Sequence, residues 1–541
     1  MKNYAHANRT MHTLQSPAAA LNRGGSKTVF NASVVTLLSV AERGLGFLYR
    51  VVLSRLIGAE GLGLYHVALS LFSVFLTIGT GGIPITVSRF ISKSKAENNP
   101  LGERHALTAG LTVSLFFTLP VCIFFLLFAE KIPFLFSDER SIPLFRILIC
   151  GLVFSSLYAV LRGHFWGNKQ FLLPSVLEIA EEAVMVIVGV LLLKNVLSPM
   201  DGATKASFAV LISYLFSFTT AAVCFFVTGG KLSSPRPVLK PLFSAAMPVT
   251  GVRASGSLIA SAVSTLLPVM LIRVGYSQSE ALQMLGIVSG MAMPILFIPS
   301  TVIGSLALVL VPELSEDFYR KNTQRLYKNI GRGLRFSVIV ACFLLPFFYA
   351  FGDDIGKIAY AEPLAGAFIR MGSPILLPMS VTMITNAMLN SMGFEKETFR
   401  FYFISAAAMF VCLFALPSVC GAYAYIAGQG ASYVLNAVCN LLFLHKKCPE
   451  LFKRRGQVRS QPFLRVLPTT FLLCLAASLF SALLKTVLGE LPALFCAAAS
   501  TAALSLLVYA AIGILPVKTL FQKRKSRKLR LGAKKSLVNA K

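Results

Sequence analysis

Arg43 and Arg50 lie on one face of the first long apolar segment of the chain, where a guanidinium group is costly unless an anion compensates it. The segment runs from Lys27 to Arg50 and also carries Glu42. A charge near the centre of a bilayer costs at least about 2.5 to 3.5 kcal/mol. The two arginines are almost two helical turns apart, so their side chains point the same way. Since guanidinium groups bind phosphate oxygens bidentately, this spacing predicts a site for an anionic ligand.

Glutamates in the fifth apolar segment form the second group of side chains that could do chemistry. Glu178 is one helical turn from both Glu181 and Glu182, so their carboxylates share a helix face. Carboxylates inside a membrane pair with cations whatever else they do. They therefore either neutralise the arginines, which we favour, or bind Na⁺ or H⁺ and couple an ion to the work of the protein. For Arg43, the corresponding alternative is a structural ion pair with Glu42 or with one of these glutamates.

The composition indicates which elements position these side chains. Of 541 residues, 55% are hydrophobic and 13% are charged, and the mean hydropathy is +0.72. This is typical of an all-α polytopic membrane protein. With about 20 residues for each crossing, the apolar runs predict about 14 transmembrane helices. They lie near residues 28–50, 62–88, 105–128, 142–161, 172–193, 205–228, 242–272, 283–311, 336–352, 364–392, 399–417, 421–444, 464–484 and 491–515.

The basic residues indicate how these helices are oriented. Most of the 51 lysines and arginines fall in segments that lie inside the cell when both termini are cytosolic. The net charge of +29 is then a consequence of topology in the cytoplasmic membrane, and no nucleic-acid-binding motif competes with that explanation. We expect the basic run at 518–535 to contact anionic lipid headgroups. The first 26 residues are polar, and no cleavable signal peptide is expected.

Two pairs of arginines suggest a parallel internal repeat. Arg55 and Arg273 close predicted helices 1 and 7, while Arg146 and Arg370 open predicted helices 4 and 10, with nearly constant spacing. The repeat predicts two six-helix lobes followed by two further helices. The predicted parts are a cytosolic N-tail (1–26), an N-lobe (27–228), a C-lobe (241–445), helices 13 and 14 (462–516) and a basic cytosolic C-tail (517–541).

Three stretches of the chain carry a family resemblance. Segment 42–93, which begins ERGLGFLYRVVLSRLIGAEGLG, resembles the first two helices of the stage V sporulation protein B-like family of polysaccharide export proteins. LRGHFWGNKQFLLPSVLE (161–178) resembles the helix 4/5 turn of that family, and LGIVSGMAMPILFIPSTVIGSLALVLVPELSE (285–316) resembles its helix 8. This family belongs to the superfamily that joins multidrug exporters, oligosaccharide flippases and lipid II flippases.

The resemblance implies two lobes that rock to expose a central cavity alternately to each membrane face. In the related lipid II flippases the cavity is cationic and receives a diphosphate-sugar headgroup, while the lipid tail lies along a groove formed with helices 13 and 14. The resemblance therefore implies that the substrate is a lipid-linked saccharide of the undecaprenyl-diphosphate type or a peptidoglycan precursor. Arg43 matches the family's helix 1 arginine, Arg50 follows it, and Arg253 in predicted helix 7 would complete a phosphate clamp. Glu42 departs from the family pattern, which usually has a small polar residue there.

Two other functions remain open at this point. A cation-coupled multidrug antiporter would use the same fold, with the helix 5 glutamates binding organic cations, although arginines on the cavity wall would repel such cations. A non-transporting scaffold would recruit envelope or spore-coat enzymes through the basic loops. The chain has no GxxxxGK[ST], HExxH or GxSxG motif, so we expect no enzyme activity, and we predict no cofactor or metal site.

Small and polar residues in two predicted helices allow local predictions. Asn386 and Asn390 in predicted helix 10 are one turn apart and either face a sugar or form interhelical hydrogen bonds, which are more common in membrane helices. The sequence TIGTGGIPIT (77–86) is expected to let predicted helix 2 bend or approach a neighbour closely.

Overall fold

A computed structural model describes residues 17–449, 460–488 and 490–511, and the regular secondary structure of these residues is helical throughout. Two π-helical stretches, Gly286–Ala292 and Gly356–Tyr360, and short 3-10 turns interrupt the α-helices. The α-helices are α1 (Pro17–Thr80), α2 (Ile83–Ala96), α3 (Pro100–Phe128), α4 (Ser141–Gly167), α5 (Leu172–Leu192), α6 (Pro199–Val227), α7 (Arg236–Arg273), α8 (Gln278–Leu285), α9 (Met293–Leu296), α10 (Ile298–Tyr319), α11 (Thr323–Ile355), α12 (Pro363–Gly372), α13 (Leu376–Ser391), α14 (Glu395–Ala415), α15 (Pro417–Cys420), α16 (Tyr423–Lys447), α17 (Ser460–Leu488) and α18 (Glu490–Ala511).

The described helices follow the predicted apolar segments. α1 and α2 cover predicted helices 1 and 2, α8 to α10 cover predicted helix 8, and α12 and α13 cover predicted helix 10. The other predicted segments correspond one to one with α3 to α7, α11, α14, α16, α17 and α18. The first 16 residues of the predicted N-tail, the end of predicted helix 14 and the basic C-tail lie outside the described residues.

Length and composition identify the candidate membrane spans. Within the described ranges, 10 helical stretches are long and apolar enough to cross a membrane, and the first of them, Leu37–Ala96, has 60 residues. Shorter apolar helices lie at Ile298–Ala307, Pro468–Leu484 and Cys496–Tyr509. α5 is 21 residues long and strongly apolar, but it is not among these stretches because it carries the three predicted site glutamates. The chain is thus an all-helical multi-pass membrane protein.

Glycines mark two breaks in the long N-terminal helical region. The path of α1 breaks at Gly58, whose φ of 70° is in the left-handed region that favours glycine. A second break at Gly81 and Gly82 separates α1 from α2. There the backbone N–H of Gly82 donates to Thr250 Oγ1 at 3.1 Å, and a Cβ on Gly82 would lie 2.8 Å from the same oxygen. The predicted bend and close approach in predicted helix 2 are both confirmed.

The chain divides into two compact units, of which unit 1 comprises the described residues up to Val52 together with Ala68–Ser261. In unit 1, α4 packs against α2, α3 and α6, and α5 packs against α6. Its core is formed by buried aliphatic and aromatic side chains of α2, α3, α4 and α6, such as Ile83, Phe165 and Phe225. Every predicted site residue belongs to this unit.

Unit 2 comprises Leu53–Val67 and the described residues from Ala262 onward. In this unit, α14 packs against α16, α13 packs against α10, α11 and α16, and α17 and α18 pack against α11. The segment Leu53–Val67 is held by Arg55, whose Nε donates to the carbonyl oxygen of Ala359 at 2.8 Å. A hydrogen bond of 2.9 Å from the Tyr509 hydroxyl to the Cys342 carbonyl oxygen links α18 to α11.

Candidate functional site

An ion pair between α4 and α5 is the centre of the charged network in unit 1. Arg162 Nη1 lies 2.7 Å from Glu178 Oε1, and the two side chains are 26% and 21% exposed. The predicted boundary placed Arg162 in a loop after residue 161, but α4 continues to Gly167. The guanidinium therefore projects from an ordered helix instead of a solvated connection. Sequence reasoning did not identify this arginine as a site residue.

Aromatic side chains of α4 hold the Arg162 guanidinium in place. Its Cζ lies 5.0 Å from the ring centroid of Trp166 and 5.9 Å from that of Tyr158. These rings are four residues after and four residues before the arginine, so the three side chains share one helix face. Cation–π contacts of this length stabilise a partly desolvated guanidinium. A sequence search for a cation with aromatic residues at i−4 and i+4 would have found this arrangement.

The remaining site glutamates surround this ion pair. The Glu181 carboxyl lies near the Ser217 hydroxyl of α6, which donates to the Tyr214 carbonyl oxygen at 3.2 Å. Glu182 approaches α1 so closely that a Cβ on Gly46 would lie 2.7 Å from Glu182 Oε1. Glu42 lies within electrostatic range of Glu178 and Arg162. The structure thus brings all the predicted carboxylates together between α1, α4, α5 and α6.

Arg43 and Arg50 occupy the same helix as Glu42 but differ from Arg162 in their surroundings. Both side chains are exposed, and neither forms an ion pair with a carboxylate among the described residues. Arg50 lies within electrostatic range of Glu182, and Arg43 within range of Glu42. The alternative in which Glu178 pairs with Arg43 does not describe this structure, because Glu178 pairs with Arg162.

Arg253 is held on α7 by the break between α1 and α2. Its Cδ would lie 3.6 Å from a Cβ on Gly81, an ordinary van der Waals distance, so the arginine stem lies beside this break. Ser257, one turn further along α7, shares a hydrogen bond of 2.7 Å with the Thr77 hydroxyl. Arg253 is exposed and also lacks an ion-pair partner within the part of the chain that the structure describes.

Unit 2 contains a network of neutral polar side chains. Asn440 Nδ2 lies 2.7 Å from Asn386 Oδ1 and 3.0 Å from Asn436 Oδ1, which joins α16 to α13. The Thr398 hydroxyl of α14 donates to Asn390 Oδ1 at 2.6 Å. Both predicted asparagines therefore form interhelical hydrogen bonds, and the packing interpretation of Asn386 and Asn390 is confirmed.

Solved structures share this helical arrangement. The lipid II flippase MurJ in an inward closed conformation aligns over 88% of this chain and 98% of its own, with a TM-score of 0.65 and 15% sequence identity. An inward-facing multidrug resistance MATE family transporter of the MOP superfamily aligns over 76% of this chain and 96% of its own, with a TM-score of 0.64 and 14% identity. The chain therefore has the MATE- and MurJ-like fold of MOP-superfamily transporters.

The sequence match identifies the family within this fold. Residues 29–318 match the polysaccharide biosynthesis protein family, and the chain belongs to that family. Stage V sporulation protein B of Bacillus subtilis (strain 168) is 26% identical over 373 residues, which cover 65% of this chain and 71% of that protein. Lipid II flippase MurJ of the same organism is 23% identical over 413 residues, covering 69% and 74%. The predicted resemblance is confirmed, and these comparisons identify a transporter, not an enzyme.

Proposed function

We propose that this chain flips a lipid-linked saccharide, an undecaprenyl-diphosphate type oligosaccharide or a peptidoglycan precursor, across the cytoplasmic membrane by alternating access. Its family and its similarity to a lipid II flippase support this proposal. The proposed architecture has 14 transmembrane helices in two six-helix lobes plus two C-terminal helices, with both termini in the cytosol. The match between helices and predicted segments supports the helix count, and the distribution of basic residues supports the orientation.

Three arginines that are not held in an ion pair carry the proposal. Arg43, Arg50 and Arg253 are exposed side chains on apolar helices of unit 1, and none forms an ion pair with a described carboxylate. Cations in a membrane protein require compensation by a counter-charge or by water. A diphosphate headgroup supplies that charge and presents oxygens that guanidinium groups bind in pairs. We assign these arginines to the headgroup site.

The glutamates have two different proposed roles. Glu178 balances the charge of Arg162 at 2.7 Å, so it is not available to neutralise the headgroup arginines. Glu42, Glu181 and Glu182 form no ion pair with a described residue. We propose that these carboxylates bind Na⁺ or H⁺ and couple its movement to the swing of the lobes.

The same carboxylates support a second candidate, the cation-coupled multidrug antiporter. A cationic drug would bind Glu42, Glu181 and Glu182, and the MATE-like fold is compatible with that activity. The exposed Arg43 and Arg50 on α1 disfavour it, because they repel a cation that approaches this face.

A proteoliposome assay tests the proposal. The purified chain is reconstituted with a fluorescent undecaprenyl-diphosphate sugar, and its movement across the bilayer is compared for the wild type, Arg43→Ala and Arg253→Ala. Lys194→Ala, which removes an exposed cation just after α5, is the matched control. We expect each arginine variant to reduce the flipping rate at least about tenfold, the equivalent of about 1.4 kcal/mol and within the range for one charge-assisted hydrogen bond.

The alternatives give different results in the same vesicles. If wild-type vesicles move the lipid no faster than empty ones and instead export a cationic dye in an ion-dependent manner, the antiporter is correct. If neither compound moves and both arginine variants still complement a deletion strain, the scaffold is correct.

A further inference from the structure

A cavity of about 270 Å³ opens where α3 begins and α4 and α6 end in unit 1. None of its lining residues belongs to the charged network around Arg162 or to the three headgroup arginines. Under the proposed topology, these helix ends lie on the cytosolic side. The lining includes apolar Leu107 and Phe225 and polar Arg104, Asn168, Gln170 and Lys231.

Two cations in this lining are not held in an ion pair. Arg104 lies in the second turn of α3, and Lys231 lies in the connection from α6 to α7. Neither forms an ion pair with any residue that the structure describes. Glu103, which also lines the cavity, is 3.8 Å from Lys95 and is partly neutralised by that lysine. The cavity therefore has a net positive lining, and its electrostatics favour an anionic ligand.

The other lining residues narrow the class of anion. Arg104 can bind two phosphate oxygens at once. The Gln170 side chain has no described hydrogen-bond partner. Asn168 Nδ2 already donates to the His164 carbonyl oxygen at 3.0 Å, which leaves Asn168 Oδ1 to accept from a ligand. Such amides suit hydroxyl groups next to a phosphate. The volume is near the lower end of the roughly 300 to 1,000 Å³ of small-molecule pockets, so the ligand is small.

The cavity wall includes the connection that leads into α7. This connection is already attached to α3, because His105 Nδ1 lies 2.6 Å from the Ser234 carbonyl oxygen. The backbone N–H of Ser233 also donates to Thr108 Oγ1 at 3.1 Å. A ligand that contacts both Arg104 and Lys231 would add a further link between α3 and the same connection.

We propose that this cavity binds a small phosphate-bearing molecule that fastens the α6–α7 connection to α3. Arg104 and Lys231 hold the phosphate, and Asn168 and Gln170 hold neighbouring hydroxyl groups. Only the assignment of the cavity to the cytosolic side rests on the proposed function. Binding itself requires neither transport nor the headgroup arginines, and it constrains the segment that precedes the helix carrying Arg253.

Calorimetric titration with inorganic pyrophosphate tests the site. The full chain is purified in detergent with Arg43→Ala, Arg50→Ala and Arg253→Ala already in place, so that phosphate binding at the headgroup site does not contribute. We expect saturable binding, weakened at least about tenfold by Arg104→Gln or by Lys231→Gln. Lys240→Gln removes a nearby exposed cation of α7 outside the cavity lining and should leave the affinity unchanged.

Hydrogen exchange tests the link to the connection. Pyrophosphate should slow amide exchange across residues 228–235 in the parent chain but not in the Arg104→Gln variant. If phosphatidylglycerol in nanodiscs displaces pyrophosphate, a lipid headgroup is the natural source of the phosphate. If phosphatidylglycerol leaves pyrophosphate binding unchanged, the natural ligand is a soluble molecule. The proposal is overturned if no saturable binding occurs, if a correctly folded Arg104→Gln variant binds as tightly as its parent, or if exchange in 228–235 does not respond. The flipping assay with Arg43→Ala tests the proposed function separately, so its outcome neither supports nor overturns pyrophosphate binding at this cavity.

Discussion

Removal of the Arg162 guanidinium should destabilise the protein more than removal of its carboxylate partner. Glu178→Ala deletes one ion pair, whereas Arg162→Ala deletes the ion pair and both contacts with aromatic rings. Exposed ion pairs contribute about 0.2 to 1 kcal/mol, and breaking a buried pair costs about 3 to 5 kcal/mol. Because the two side chains are about one quarter exposed, the contribution of this ion pair to stability should lie between these limits.

The magnitudes follow from that burial. We expect Glu178→Ala to cost about 1 to 2 kcal/mol. Arg162→Ala should cost about 1 to 2 kcal/mol more, since each cation–π contact contributes about 0.5 to 1 kcal/mol where water still reaches it. The double variant should cost less than the sum of the single variants by about 1 kcal/mol, because the interaction they share is lost only once.

The fluorescence of Trp166 can be used to measure the stability of these variants. The chain has 1 tryptophan, and its ring centroid is 5.0 Å from Arg162 Cζ. Equilibrium unfolding in mixed micelles, followed by the fluorescence of this residue, gives the free energy of each variant. The native emission should also shift in Arg162→Ala and remain unchanged in Lys169→Ala, which alters an exposed cation beyond the end of α4.

One result would refute this reasoning. If the free energies of the single variants add to that of the double variant within about 0.5 kcal/mol, the two side chains do not interact in the native protein. An unchanged Trp166 emission in Arg162→Ala would independently show that the guanidinium does not lie over the ring.

Two further substitutions, one of them with a matched control, test unit 2. Gly286→Leu should lower the free energy of unfolding by about 1 to 3 kcal/mol, because the new side chain meets the Ala59 backbone, whereas Gly304→Leu, with open space at its Cβ, should cost less than about 0.5 kcal/mol. Equal thermal midpoints for these variants would show that the contact between Gly286 and Ala59 is not tight. Asn440→Leu should cost about 1 to 3 kcal/mol, since it leaves the buried amide oxygen of Asn436 without its donor. A thermal midpoint equal to that of the wild type would show that this network does not stabilise the helix contact.

Hydropathy predicted the helices because bilayer-length apolar runs are a local property of the sequence. Gly81 and Gly82 likewise revealed the break between α1 and α2, since the signal is in the residues themselves. The end of α4 was wrong by 6 residues, because hydropathy falls at Arg162 while the helix continues to Gly167. Beyond that point Phe165 packs in the core of unit 1 and Arg162 pairs with a residue of the next helix, and no local pattern encodes these contacts.

The sequence predicted one part of the candidate site and missed another, because helical spacing is local and the pairing of side chains between helices is not. The shared face of Glu178, Glu181 and Glu182 follows from helical spacing alone. The choice of partner does not, because Arg43 and Arg162 were equally available to Glu178 in the sequence and only the packing of α4 on neighbouring helices selects Arg162. Long-range pairing, not residue type, separates the structural arginine from the ones we assign to the headgroup.

The two polar networks suggest how the proposed repeat has diverged. The spacing that relates Arg146 to Arg370 also relates Arg162 to Asn386, so an arginine of α4 corresponds to an asparagine of α13. Arg162 forms an ion pair, while Asn386 accepts a hydrogen bond from Asn440 at 2.7 Å. Amide side chains join helices by hydrogen bonds but have no ionisable proton, whereas a carboxylate can bind a proton or a metal cation. The Na⁺ or H⁺ coupling that we propose therefore relies on the carboxylates of unit 1, while the amide network of unit 2 joins α13 to α16 by hydrogen bonds.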